Sequence, residues 1–145
     1  MLQTKHKPPG CIHGARSLML AVVTLAVSLC IAGVASFSPA LLAKVEREFG
    51  IEAKHRMQSW QQLINTDRGK AKPDIIYSAN RFFNRVHFVS DNTHWGRADY
   101  WATPVEFLAT NGGDCEDFSI AKYFTLRELG VPDEQLRITY VKAAR

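Results

Sequence analysis

The sequence predicts an α+β domain. Helices come first, one helix with a cysteine at its head lies near the middle of the fold, and a strand follows. Three observations carry this. Residues 39–85 show apolar residues at helical spacing. The run Asn111-Gly112-Gly113-Asp114-Cys115-Glu116-Asp117-Phe118 leads directly into a further helical pattern, which closes at Gly130 and Pro132. Only Leu136-Arg137-Ile138-Thr139-Tyr140-Val141 alternates cleanly as a strand should.

The domain begins after a leader. Residues 1–16 contain Lys5, Lys7 and Arg16 but no acid, and residues 18–35 are apolar apart from Thr24 and Ser28. Ala35 and Ser38-Pro39-Ala40 supply small residues at a plausible cut. This is the layout of a secretory signal over 1–35, cut after Ala35 or Ala40. The apolar run is also just long enough to span a bilayer, so an uncleaved inner-membrane anchor is the alternative. Bulky Leu29 before Cys30 argues against a lipoprotein site. The chain has 18 basic and 14 acidic residues. The leader holds three of the basic residues and none of the acidic ones, so residues 36–145 are close to neutral. With no basic stripe and no stacking aromatics, nucleic-acid binding is not expected. Export also sharpens the meaning of the cysteines. Cys11 and Cys30 belong to the leader, which leaves Cys115 as the single thiol in an oxidising space. Such a thiol is either buried out of reach or kept for its reactivity.

Residues 36–145 are enough for one domain. Leu41, Leu42, Val45 and Phe49 predict a helix over 39–50, and Met57, Trp60, Leu63 and Ile64 predict a second over 51–65. Gly69 and Pro73 mark a loop. A third helix is expected over 74–85, with Asp74 as N-cap and Ile75, Ile76, Ala79, Phe82, Phe83 and Val86 as its apolar face. Residues 86–89 suit a short extended piece, and 90–96 a turn-rich loop holding His94 and Trp95. Thr103-Pro104-Val105-Glu106 predicts a helix start with Thr as N-cap and Pro at the first position.

The helix after Cys115 is apolar on most sides, through Phe118, Ile120, Ala121, Tyr123, Phe124, Leu126 and Leu129, which predicts a buried central helix. The two glycines before it predict a tight turn. Cys115 then falls in the first helical turn, where free backbone N–H groups favour a thiolate and suit a nucleophile. A lone helical cysteine is also commonly a small buried hydrophobe, and first-turn acids are ordinary partners of the helix dipole. Composition does not separate these readings. One strand makes no sheet, so the domain reads as unfinished at Arg145.

The segments 95–108, Gly112-Gly113-Asp114-Cys115-Glu116-Asp117-Phe118, Ala121-Lys122-Tyr123-Phe124 and 138–143, with Ala79-Asn80-Arg81-Phe82-Phe83-Asn84 upstream, resemble the bacterial transglutaminase-like cysteine proteinases of the LapG type. The resemblance covers roughly residues 40–143. It implies a papain/transglutaminase-like cysteine proteinase fold, with the cysteine at the head of a central helix packed on an antiparallel sheet. It implies a calcium-dependent endopeptidase in the periplasm, cutting a large repeat-containing surface adhesin near its N-terminus and so dispersing biofilm. It also implies a partner, an inner-membrane cyclic-di-GMP receptor of the LapD type. Cys115 matches the nucleophile, and Asp114 and Glu116 match the calcium-linked acids. The chemistry is consistent with this. Carboxylates beside a thiol oppose its ionisation, and Ca²⁺ with several oxygen ligands would offset them. Asp117 is a further candidate ligand or a plain first-turn charge. The Cys115 backbone N–H suits an oxyanion, and Trp101 would either add an indole N–H or simply pack in the interior.

One departure matters. The family's catalytic histidine and aspartate follow the cysteine, and here no histidine does; His55, His87 and His94 all precede it. The expectation is a truncated protease that is inactive as it stands. The alternatives are a non-catalytic binding module for the adhesin or the receptor, an amide-transferring relative, and a purely structural domain if Cys115 is inert.

Overall fold

A computed structural model describes residues 36–141. The leader 1–35 and the end of the last family segment lie outside the described residues, and with them the question of signal against anchor. Among the described residues no helix is long and apolar enough to cross a membrane.

Two helices form a pair at the start. Helix α1 (Pro39–Phe49) is capped by Ser38, whose hydroxyl accepts from the Leu41 N–H at 3.1 Å, and has Pro39 at its first position. Gly50, at φ 85°, turns the chain directly into α2 (Ile51–Asp67). Helix α2 buries Ala53, Met57, Trp60 and Ile64, a stripe at steps of four, three and four. Leu63, expected in that face, is only half-buried. Helix α1 buries Val45 alone, and Phe49 is exposed.

Helix α3 (Lys72–Phe83) starts two residues earlier than expected. Its N-cap is Ala71, with Pro73 in the first turn, so Asp74 is a first-turn acid and not the cap. Ile75, Ala79 and Phe83 are buried at steps of four, while Ile76 is exposed. The extended piece is β1 (His87–Phe88). The following loop contains one helical turn, α4 (Asp91–His94). Helix α5 (Pro104–Thr110) begins as predicted. Thr103 Oγ1 accepts from the Glu106 N–H, and Glu106 Oε2 accepts from the Thr103 N–H at 2.8 Å.

The Gly-Gly turn is a correction. The turn residue is Asn111, in the left-handed region at φ 56°, and Gly112–Gly113 form a strand, β2, paired in parallel with β1. These glycines are needed for close approach. A Cβ on Gly113 would lie 2.4 Å from Asp117 Oδ2 and 2.6 Å from Phe107 Cδ2. Helix α6 (Cys115–Glu128) follows and packs against α3 and α5. An aromatic series ties the helices together. Phe37 meets Trp60 at 5.1 Å between ring centroids, Trp60 meets Phe83 at 6.3 Å, Phe83 meets Phe107 at 6.1 Å, and Phe107 meets Phe118 at 4.8 Å.

Two further expectations change. Helix α6 buries only the stripe Asp117, Ala121 and Thr125, and Phe124 is 43 % exposed. The α6 sequence carries more apolar surface than the described elements cover. Residues 136–141 form no strand among the described residues. Leu136 is extended, at φ −115° and ψ 139°, but a strand needs a hydrogen-bonded neighbour, and none of the described residues pairs with it.

Candidate active site

Four segments converge on the head of α6. Helix α5 delivers the chain to Asn111, and β2 passes alongside β1, with the Val89 N–H donating to Gly113 O at 2.9 Å. Asp114 is the extended N-cap residue of α6, and Cys115 is its first residue, exposed to solvent. Asp117 is fully buried beneath. Its Oδ1 accepts from the Ala102 N–H at 2.8 Å, and its Oδ2 accepts from the Asp114 N–H at 3.2 Å. That one carboxylate joins the loop before α5 to the start of α6. The Gly113 position leaves it room.

Asp91, at the start of α4, is buried at 4 % exposure and accepts from the Tyr100 N–H through Oδ2 at 2.5 Å. The carboxylate oxygens of Asp91, Asp114 and Asp117 include one from each residue within 4.8 Å of the others. Asp91, Asp99 and Glu116 meet the same condition. Asp91 is thus common to both groups. Asp91 Oδ1 and Asp114 Oδ1 are buried with no hydrogen-bond partner. Native proteins leave few buried polar atoms in this state.

The crowding appears in the acidities. Glu116 is pushed up to about 7, first by burial, then by the close side chain of Asp114 and the charges of Asp114 and Asp91. Burial also pushes Asp117 up, opposed by the N–H groups of Ala102 and Asp114. The acids sit close enough to disfavour full ionisation in the absence of a counter-charge.

Beside Cys115 lies a groove of about 210 Å³, lined by Trp101, Ser119, Glu116 and residues 138–141. Trp101 fits neither expectation. It is 53 % exposed, and its indole N–H donates to Asp99 Oδ1 at 3.1 Å. No histidine lines this groove among the described residues. His55 lies on α2 near Glu52, and His87 lies in β1. His94 ends α4, and its Cε1 is 3.0 Å from where a Gly112 Cβ would stand.

Of the residues singled out from sequence, the structure brings Cys115, Asp114, Glu116 and Asp117 to one end of α6. It adds Asp91, which sequence reading left in the turn-rich loop 90–96, and Asp99, which lies inside the family segment 95–108 but was given no role there. Asp91 lies 23 positions before Asp114, with no motif linking the two. The only available signal was one acid just before, and one inside, the family segment 95–108.

Residues 49–145 match the model of the bacterial transglutaminase-like cysteine proteinases. Three solved structures of LapG from Legionella pneumophila are similar to this chain. The calcium-bound form is 36 % identical, with a TM-score of 0.56 over 68 % of this chain and 55 % of its own. The EGTA-treated form is 36 % identical, with a TM-score of 0.57 over 68 % and 53 %. A third LapG structure is 36 % identical, with a TM-score of 0.56 over 68 % and 54 %. No curated protein matches the chain. The matched region thus spans a little over half the length of these LapG chains, and the mostly helical architecture with a small sheet is the corresponding part of a transglutaminase-like fold. The chain belongs to the bacterial transglutaminase-like cysteine proteinase family.

Proposed function

We propose that this chain carries the nucleophile-bearing part of a calcium-dependent cysteine endopeptidase of the LapG type. In this reading it is exported to the periplasm, where it cuts a large surface adhesin near its N-terminus and is restrained by a membrane receptor of the LapD type. One observation carries the proposal. An exposed Cys115 heads α6 directly beside five carboxylates, two of which hold buried oxygens with no partner.

The donor set fits calcium. It is all oxygen, drawn from Asp91, Asp114 and Asp117 with Glu116 and Asp99 adjacent, as a hard cation with several ligands requires. One solved relative is calcium-bound, in keeping with that fit. When bound, the ion supplies positive charge that offsets the crowded acids. The protein's own residues do the rest. Asp117 holds the N–H groups of Ala102 and Asp114 and so fixes the start of α6. Cys115 Sγ faces a groove in which an extended peptide can lie along residues 138–141. The Cys115 N–H is available to a developing oxyanion. Taking up the Cys115 thiol proton and then passing it to the leaving amine needs a group that acts first as base and then as acid, from outside the groove described above. A second reading is a non-catalytic module that binds the adhesin or the receptor.

The test uses the polypeptide as its own cells make it, with the N-terminal region of the adhesin as substrate. The protease reading expects cleavage in Ca²⁺, loss of cleavage on chelation, and loss in Cys115→Ala. Cleavage that survives Cys115→Ala or chelation overturns it. Binding without cleavage by the native polypeptide establishes the second reading in its place.

A further inference from the structure

A second groove, of about 320 Å³, lies between α2, the end of α3 and the end of α5, and shares no lining residue with the groove beside Cys115. Two arginines line it. Arg56 Nε donates to Leu108 O at 2.6 Å, and its Nη2 donates to Ala109 O at 2.8 Å. These are among the last carbonyls of α5, which have no partner within the helix. Arg56 is therefore held rigidly, with two of its five N–H donors engaged. Arg85 stands over the Phe82 ring at 5.5 Å from its centroid. Among the described residues neither arginine has an acidic partner within ion-pair distance. The one acid on the rim, Glu52, lies 3.9 Å from His55 Nδ1. Ser59 and Asn111 complete the polar side of the groove.

Two guanidinium groups, one clamped on backbone carbonyls and one resting on a ring, with the single carboxylate of Glu52 at the rim and in ion-pair contact with neither, form a receptor for a flat or tetrahedral oxyanion. The fork of N–H donors matches both shapes, and little side-chain freedom remains to be lost on binding. We propose that this groove binds a small oxyanion, a carboxylate or a phosphate, between Arg56 and Arg85 with Asn111 at the rim. The site has a route to the head of α6. Asn111 O accepts from the His87 N–H, and the chain runs from Asn111 through β2 to Cys115 within four residues. An anion here would therefore bear on the segment that presents Cys115. The proposal stands whether or not the protein is a protease.

The test is a titration of isotopically labelled protein with sodium phosphate, sodium succinate and sodium chloride at matched ionic strength. The readout is the arginine Nε–H and asparagine side-chain resonances. Saturable shifts at Arg56, Arg85 and Asn111 are expected with phosphate or succinate and not with chloride. A response to phosphate alone, or to succinate alone, supports the site and names its chemistry. Arg85→Ala is expected to weaken the response about tenfold, and Arg85→Lys, which keeps the charge but not the fork, by less. Equal, non-saturating shifts with all three salts, or unchanged affinity in a folded Arg85→Ala or Arg85→Gln variant, overturn the proposal.

Discussion

The two ends of α6 are built on opposite terms. Towards the C-terminal end, Thr125 is fully buried and its hydroxyl is fully used. It accepts from Trp60 Nε1 at 2.8 Å and donates to Ala121 O at 2.7 Å. Nearby lie the aromatic side chains that join α2, α3 and α5. At the N-terminal end Asp117 is equally buried, yet the acids around it leave two oxygens without a partner and hold protons above their usual range. One end pairs its buried hydroxyl and indole fully and contributes stability. The other carries unfavourable electrostatics beside an exposed thiol, an arrangement that a cation would relieve. A site that must take up charge is found where the fold alone is least satisfied.

Three measurements press on that difference. Gly113→Ala strikes the N-terminal end from both sides, because the new Cβ would meet Asp117 on one and Phe107 on the other. It should give the largest loss, on the order of 1–3 kcal/mol or more in denaturant unfolding. A loss below a few tenths of a kcal/mol would show that the head of α6 yields easily. Thr125→Val strikes the satisfied end. It keeps the volume but leaves the buried Trp60 N–H without an acceptor, at an expected cost of about 1–2 kcal/mol. A neutral result would mean that the hydroxyl adds nothing at that end.

The smallest effect is electrostatic and belongs to the other end. Folded Glu116 keeps its proton up to about 7, against an ordinary 4.5. Between those values the folded state binds more protons than the unfolded one. The contribution is therefore full below about pH 4.5 and is lost as pH rises towards 7. The upward shift of Asp117 acts in the same direction. In EGTA the thermal midpoint should fall across this window, and the fall should be slightly shallower in Asp91→Asn, since the Asp91 charge contributes to both shifts. In saturating Ca²⁺ the trend should reverse, because ionised carboxylates bind the ion better as pH rises. A flat or rising profile in EGTA would remove the claim of crowding.

Much of the helical frame was legible. Trp60 and Ile64, Ala79 and Phe83, and Thr103-Pro104 with Glu106 all do what their spacing predicts. The failures have physical causes. Asp74 gave way to Ala71 as N-cap because Pro73 can occupy the first turn of a helix that starts earlier. Gly112-Gly113 reads locally as a turn, but the left-handed residue is Asn111, and the glycines answer instead to Asp117 and Phe107 across the packing. Residues 136–141 have strand alternation without a strand, because alternation describes two faces and cannot supply a neighbour. Phe124 is exposed for the same kind of reason. Periodicity marks a side chain as apolar but does not say what covers it.

By itself the sequence determined most of the helical frame, which thiol stands at a helix head, and the family to which that head belongs. Those properties depend on neighbours within a few residues, or on a run of residues specific enough to be read directly. Only the tertiary structure decided that Asp91 and Asp99 join the acids beside Cys115, and that Arg56 reaches across 52 positions to the carbonyl of Leu108. Burial, charge crowding and unpaired donors depend on through-space distance. The folded chain sets those distances only when β2 settles against β1 and α6 packs against α3 and α5.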